Sequence, residues 1–311
     1  MKYDIVALGE ILIDFAPAGR DDAGDLMFIR KAGGAPLNLL ATAAKYGGKT
    51  AFIGKVGADM FGDFLKETLD GIGVDRSYLM TDPLYNTTLA FVALSEDGDR
   101  SFSFYRNFGA DAHITCEEID PEPIRNARYF HFGSLSLTNP QSRAATELAI
   151  KTAKEAGCLI SYDPNYRAPL WKSEADALEA ITSQLSVADI LKVSLEEAQM
   201  ITGCESVEAC AEAMRRYQNK ILLITDGPNG AYVVTDERLI HVPGMPVAAV
   251  DTTGAGDIFF GSFLFELIKS QKAPDALTAD ELEAFCKHAV RLSGYSVLKK
   301  GAIPSIPDYN I

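Results

Sequence analysis

Long apolar stretches are missing from this chain. No run of roughly 18 apolar residues occurs, and the longest candidate, IFFGSFLF at 258–265, is far too short for a membrane-crossing helix. Basic residues are also scarce: 29 Lys and Arg stand against 43 Asp and Glu, a formal net charge of −14. That balance opposes nonspecific binding to nucleic acid or to an anionic membrane, so any anionic ligand must be met locally by helix N-termini and a few placed Lys or Arg. The cysteines Cys116, Cys158, Cys204, Cys210 and Cys286 are odd in number, scattered and without a CxxC pair. They argue against a disulfide framework or a zinc site and fit a reduced, cytoplasmic compartment. His113, His131, His241 and His288 are too far apart for a helical HExxH metal motif. No GxGxxG follows a strand, which counts against a dinucleotide-binding oxidoreductase. The N-terminus, MKYDIVALGEILIDF, carries Asp4, Glu10 and Asp14 within its apolar stretch, unlike a secretory signal.

What is present is a globular pattern. A chain of 311 residues with 47% hydrophobic content has ample material for a core. There is no internal repeat, low-complexity tract or interdomain linker, so residues 1–311 are read as one domain. Ile5–Phe15 is a near-continuous apolar run, expected to form one strand buried on both faces, with Glu10 and Asp14 on the same face. From Ala127 onward strands and helices alternate, which predicts a doubly wound, mostly parallel α/β sheet sandwiched by helices. The runs 88–95 and 100–106 flank the turn EDGD, a hairpin signal whose period of two places Phe102, Phe104 and Arg106 on one face. Two insertions, about 15–31 and 86–107, are expected to make a small β-sheet lid.

The most informative stretch is DTTGAGDIFFG, Asp251–Gly261, a glycine-broken turn entering an apolar helix. The first N–H groups of a helix lack partners and carry the positive end of its dipole, so Gly254, Ala255 and Gly256 can hold an anion. Asp257, in the first turn, would be kept ionised there and could accept a proton from a hydroxyl lying beside a phosphate. The same residues would also serve a plain connecting turn whose Asp complements the dipole.

Other strand ends carry chemistry. Asp14 either caps a turn or binds ligand hydroxyls. Gly33 and Gly34 precede a helix started by Pro36, with Asn38 one turn in, a second place where backbone can approach a ligand. Gly48, Lys49 and Thr50 imitate the end of GxxxxGKT, but Ala43 replaces its first glycine and the segment ends a helix instead of beginning one. DPNYRAPLW offers Asp163, Asn165 and Arg167, the last a phosphate clamp. KVSLEEAQMITG offers Lys192 for a phosphate and places Ser194 and Glu197 three apart, on one helix face, with Glu197 able to orient water on magnesium. TDGPNGA is a Gly-rich turn after Thr225 suited to a nucleotide.

In order from residue 9 to residue 307, GEILIDF, GGAPLN, FIGKVGADMFG, FYRNFGAD, HFGSLSL, SYDPNYRAPLW, DILKVSLEEAQMITG, DTTGAGD and KKGAIPSIP resemble the landmarks of the ribokinase-type (PfkB) carbohydrate kinases, and within them the bacterial and plant fructokinases. The resemblance implies a ribokinase-like fold and ATP-dependent phosphorylation of a sugar hydroxyl, with Asp257 as base and Gly254, Ala255 and Gly256 as anion hole. It assigns sugar hydroxyls to Asp14, Gly33, Gly34 and Asn38, and brings Arg106 down from the lid. Asn165 and Arg167 fall near phosphate or sugar. Thr225, Gly227 and Gly230 border ATP, with Lys192 and Ser194 near its phosphates. Asp251 and Thr253 match positions that bind a monovalent cation such as potassium in some relatives. The family's NxxE magnesium motif falls on Ser194 and Glu197, so its Asn is missing. A ketose, fructose, is the expected acceptor, with 2-keto-3-deoxygluconate, ribose or a nucleoside as rivals and a noncatalytic sugar-binding regulator as the reading from another class. A lid with an apolar outer face is expected to pair two chains into a homodimer.

Overall fold

The structure, a computed structural model, describes residues 1–94, 100–235 and 238–311, with backbone alone for 93, 94 and 100–102. The turn EDGD and the side chain of Phe102 lie outside what is described. The chain begins β1 (Tyr3–Leu8), β2 (Leu12–Arg20), β3 (Leu26–Gly33), α1 (Ala35–Lys45), β4 (Thr50–Gly57), α2 (Met60–Ile72), β5 (Leu79–Asp82), β6 (Leu89–Leu94) and β7 (Arg100–Tyr105). It continues α3 (Pro121–Arg125), β8 (Ala127–Gly133), α4 (Pro140–Glu155), β9 (Leu159–Asp163), α5 (Glu174–Leu185), β10 (Ile190–Ser194), α6 (Leu195–Thr202) and α7 (Val207–Met214). The last elements are β11 (Ile221–Thr225), β12 (Gly230–Val234), β13 (Leu239–Pro243), α8 (Ala255–Ser270), α9 (Ala279–Ser296) and α10 (Ala302–Ser305).

Among the described residues nine strands form one sheet in the order β13-β12-β11-β10-β9-β8-β1-β4-β5, parallel except for the antiparallel pairings of β12 with β11 and β13. Alternate residues of its central strands serve opposite cores, as a pleat of period two requires. Val6, Leu8, Phe130, Phe132, Leu191 and Val193 meet α3 to α7 on one face. Ile5, Ala7, Tyr129, Ile190, Ile221 and Leu223 meet α1, α2, α8 and α9 on the other. The chain moves from β1 to β4 and β5 at one edge, then from β8 toward the opposite edge. The topological switch therefore lies between β1 and β8, where a crevice opens beyond the strands' carboxyl ends.

Local signals explain where elements begin and stop. Asp59 caps α2 by accepting from the N–H groups of Phe61 and Gly62 at 3.0 and 2.8 Å, and Gly73, at φ 74°, ends that helix in the left-handed region. Pro36 opens α1.

The expected strand Ile5–Phe15 is two strands. β1 ends at Leu8, the chain turns through Gly9–Ile11, and β2 belongs to a separate four-stranded sheet ordered β3-β2-β6-β7. The turn forms because the N-terminus of α1 sits on it: a side chain at Gly9 would meet Pro36 Cγ at 2.7 Å, and Glu10 Oε1 accepts from the Ala35 N–H at 2.9 Å. Glu10 and Asp14 thus occupy different elements and share no strand face. The small sheet is built from two segments of the chain, residues 12–33 and 89–105, so its first strand starts at Leu12. β3 is its edge, and Leu26, Met27, Phe28 and Ile29 there are 39–55% exposed. No helix among the described residues is long and apolar enough to cross a membrane.

Candidate active site

The crevice at the switch point is a cavity of about 310 Å³. Its wall comes from the turn after β1 (Glu10), β2 (Leu12, Asp14), the start of α1 (Gly34, Asn38), β7 (Phe104) and the segment after β8 (Leu135). The rest is supplied by Asn165 and Arg167 after β9, and by Thr252, Thr253, Gly254 and Asp257 at the entry to α8. A second cavity of about 380 Å³ shares Asn165 and Arg167 and adds Lys192, Ser194 and Glu197. Two residues that sequence reasoning left between sugar and phosphate therefore border both spaces.

Gly254 is the N-cap of α8 at φ 74°, and a side chain there would come within 2.4 Å of Ala302 Cβ. Only glycine combines that backbone with that approach. The Ala255 N–H reaches Thr252 O at 3.2 Å, so an incoming anion competes with that bond. Asp257 is 8% exposed and lines the first cavity. Its Oδ2 accepts from Asn38 Nδ2 at 2.8 Å and its Oδ1 from Asn165 Nδ2 at 3.1 Å. Burial raises its pKa above the ordinary carboxylate value, while the Asn38 amide, Lys192, Arg167 and the Asn165 amide pull it back. The expectation of a carboxylate acidified by the helix end gives way to a more basic one, because desolvation outweighs its donors.

Neighbouring acids are desolvated too. Burial pushes Asp14 up to about 6 against the pull of Arg167, and Glu10 up to about 7 despite backbone donors. Glu10 Oε2 and Asn38 Oδ1 are buried without a hydrogen-bond partner among the described residues, an arrangement suited to polar ligand groups. Gly33 lies against Asp14, since a side chain there would meet Asp14 Oδ2 at 2.1 Å.

Lys192 is buried and pairs with Asp163 Oδ2 at 2.9 Å. Burial alone would lower its pKa, but the Asp163 and Glu197 carboxylates more than offset this and keep it charged. Its ammonium lies beneath the start of α8, 3.2 Å from where a side chain at Gly256 would begin. Ser194 does not stand on a helix face beside Glu197. It is the N-cap of α6, accepting from the Glu197 N–H at 3.1 Å while Glu197 Oε2 accepts from the Ser194 N–H at 2.8 Å, a reciprocal capping box. Glu197 Oε1 takes the Tyr166 N–H at 2.7 Å, tying α6 to the loop that carries Asn165 and Arg167.

Thr225 is in register with Ser194 at the sheet's carboxyl edge, and Gly227 and Gly230, at φ 47° and 105°, shape the turn into β12. Asp251 Oδ1 accepts from Thr253 N and Oγ1 at 2.9 and 2.6 Å, and its Oδ2 accepts from the Gly301 N–H at 2.8 Å. Arg106 is not in the first cavity. It lies behind Leu135, bonded to Asp111 and lining a third space of about 440 Å³. Sequence reasoning assigned no role to Glu10, Leu135 or Thr252. The rule that ligand groups follow strand ends would have marked the first two, one after β1 and one after β8.

Fold and site together define a ribokinase-like α/β carbohydrate phosphotransferase. The chain belongs to the pfkB family carbohydrate kinases, which it matches over residues 2–309. It is 42% identical over 306 residues to probable fructokinase-5 of Arabidopsis thaliana, covering 97% of this chain and 94% of that protein. Among solved structures it resembles the ATP-bound fructokinase of Xylella fastidiosa, with TM-score 0.88, 30% identity and coverage of 99% of this chain and 96% of the other. It also resembles a double mutant of the Vibrio cholerae O395 fructokinase in its fructose-, ADP- and potassium-bound form, with TM-score 0.88, 32% identity and coverage of 98% and 96%.

Proposed function

We infer that this sugar kinase uses ATP to phosphorylate the primary hydroxyl of a ketose, converting fructose to fructose 6-phosphate. The observation that carries the reading is the position of Asp257: within the first turn of α8, on the cavity wall, with an amide on each oxygen. The acceptor hydroxyl binds in the first cavity among Asp14, Gly33, Gly34 and Asn38, and Asp257 takes its proton as the bond to phosphorus forms. A loose phosphoryl transition state makes that hydroxyl acidic late, which suits a carboxylate base. The backbone of Gly254, Ala255 and Gly256 holds the transferring oxygens, and Arg167 and Asn165, bordering both cavities, serve the phosphate at their junction.

The nucleotide occupies the second cavity and the edge formed by Thr225, Gly227 and Gly230, with Lys192 and Ser194 toward its phosphates. Among the described residues no group of three or more His, Cys, Asp or Glu could hold a metal ion. That suits magnesium, which keeps most of its waters and is held chiefly by phosphates, with Glu197 reaching it through water. When bound, the ion neutralises charge on the phosphates. The potassium in the Vibrio cholerae relative supports a monovalent cation at the loop of Asp251 and Thr253. The enzyme works in the cytoplasm as a homodimer joined through the lid.

A coupled ADP-release assay over fructose, 2-keto-3-deoxygluconate, ribose and a nucleoside, with magnesium and with or without potassium, tests this. Fructose is expected to show the highest kcat/KM. A keto-acid that outperforms fructose overturns the acceptor, and calorimetric sugar binding without turnover overturns the catalytic reading.

A further inference from the structure

The acceptor cavity is lined by three carboxylates, Glu10, Asp14 and Asp257, and by one cationic side chain, Arg167. Arg106, the second arginine expected at the acceptor, is occupied elsewhere. Its Nε donates to Asp111 Oδ2 at 2.7 Å, one terminal nitrogen to Thr138 Oγ1 at 2.6 Å and the other to Leu135 O at 3.1 Å. All three guanidinium nitrogens have partners, and the balancing charge is as buried as the arginine: Arg106 is 7% exposed and Asp111 2%. Thr88 Oγ1 bonds the other oxygen of Asp111, which holds the carboxylate in place. Leu135, whose carbonyl takes the third bond, is itself part of the acceptor wall. The ion pair therefore stands one residue behind the cavity.

A sugar acid entering this cavity loses the hydration of its carboxylate and needs a charge-assisted partner in exchange. Each terminal nitrogen of Arg106 keeps a second N–H, but both are held against Thr138 and the Leu135 carbonyl, and swinging the guanidinium into the cavity would break these bonds and strand the Asp111 carboxylate without its counter-ion. Arg167 is exposed and borders the neighbouring cavity as well. A neutral ketose makes no such demand, because carboxylates that repel an anion accept bonds from its hydroxyls.

We propose that Asp111 is a specificity-determining residue: by holding Arg106 it keeps the acceptor end without a free buried cation and reserves it for neutral sugars, excluding sugar acids. The proposal rests on the kinase reading above and narrows its acceptor class.

The test compares kcat/KM for fructose and 2-keto-3-deoxygluconate in the wild type, in Asp111→Asn, and in a double variant carrying Arg106→Met and Asp111→Leu, with thermal melting alongside. Releasing the arginine is expected to raise the acid-to-neutral ratio about tenfold or more, the scale of one hydrogen bond to a charged group, mainly through a lower KM for the acid. Removing both charges returns the ratio to the wild-type value. An unchanged ratio in folded Asp111→Asn overturns the proposal.

If that variant does not fold, the wild type decides, through inhibition of fructose phosphorylation by 2-keto-3-deoxygluconate and by its neutral methyl ester. The ester is expected to bind the more tightly, and equal or tighter binding of the acid overturns the proposal. A wild type that phosphorylates no neutral ketose overturns the kinase reading instead, so the two failures are distinguishable.

Discussion

Asn38 donates its side-chain amide to Asp257 Oδ2 at 2.8 Å, joining residues 219 positions apart in the chain. Asn165 does the same for Oδ1 at 3.1 Å. Each carboxylate oxygen thus has one amide partner, and the group is oriented before any ligand arrives. Replacing it by an isosteric amide, Asp257→Asn, removes the proton acceptor and leaves the shape. Turnover is expected to fall by about 10²–10⁴, the usual contribution of a general base. The melting temperature should fall only modestly, since one buried amide donor left facing another costs about 1–3 kcal/mol. Steady-state kinetics and calorimetric melting of the variant check both halves.

The same two amides, with Lys192 and Arg167, offset burial and so shape the acid limb of the pH profile. Burial raises the Asp257 pKa and the amides lower it, and the base works only when ionised. Activity is therefore lost as pH falls through the folded value. Removing the Asn165 donor moves that value up, so the acid limb should begin at a higher pH. Asn165 sits at φ 46°, where alanine is strained and glycine is not. Asn165→Gly and Asn165→Ala should therefore show the same shift in log kcat against pH, with only the alanine variant losing additional stability. A profile that does not move would mean the amide has no hold on the base.

Much of this site could be read from residues because its parts are local: glycines at a helix start, an acid within the first turn, and polar residues just past strand ends. Asn38, Asn165, Arg167, Gly254 and Asp257 meet in one cavity for that reason. What could not be read depends on contacts between distant segments. A near-continuous apolar run looks the same as one strand or two, and the break at Gly9 depends on Pro36, brought there by the fold. Ser194 and Glu197 were read as one helix face although S-x-x-E is also a capping-box pattern, and only the strand ending at Ser194 decides between them. Arg106 looked free because Asp111 and Leu135 reach it only after folding.

Glu10 should make stability depend on pH. Burial pushes it up to about 7 in the folded state, against roughly 4.3 in an unfolded chain. Between those values the folded protein binds the extra proton, so stability is higher toward the acid side and declines as pH rises through about 7. Glu10→Gln removes the ionisation and keeps an acceptor for the Ala35 N–H. Relative to the wild type it should gain on the order of 1–3 kcal/mol on going from pH 5 to pH 8. Urea midpoints at the two pH values measure this, and Asp14, present in both proteins, cancels from the comparison.

Gly33 gives a way to disturb acceptor binding apart from chemistry. A methyl group there would overlap Asp14 Oδ2 at 2.1 Å, so Gly33→Ala must displace that carboxylate. Asp257 is held by other residues, and the variant should raise KM for the sugar about tenfold with a smaller change in kcat. A loss confined to kcat would show that Asp14 acts in the chemical step and not in holding the acceptor.

The exposed edge of the small sheet carries the last prediction. Among the described residues β3 pairs with β2 alone and exposes Leu26, Met27, Phe28 and Ile29 in succession, although Phe28 also packs edge-on against Phe91 at 5.5 Å, so the edge strand presents a largely apolar surface to solvent. Such an edge is prone to pairing unless a second chain covers it. If the homodimer forms there, placing charge on it with Phe28→Lys and Ile29→Lys should leave a monomer by light scattering at concentrations where the wild type is dimeric. The substitutions lie outside the main cores, so the variant should remain folded and its melting temperature should lose the dependence on protein concentration expected of the wild type. A variant that stays dimeric would move the interface away from this strand.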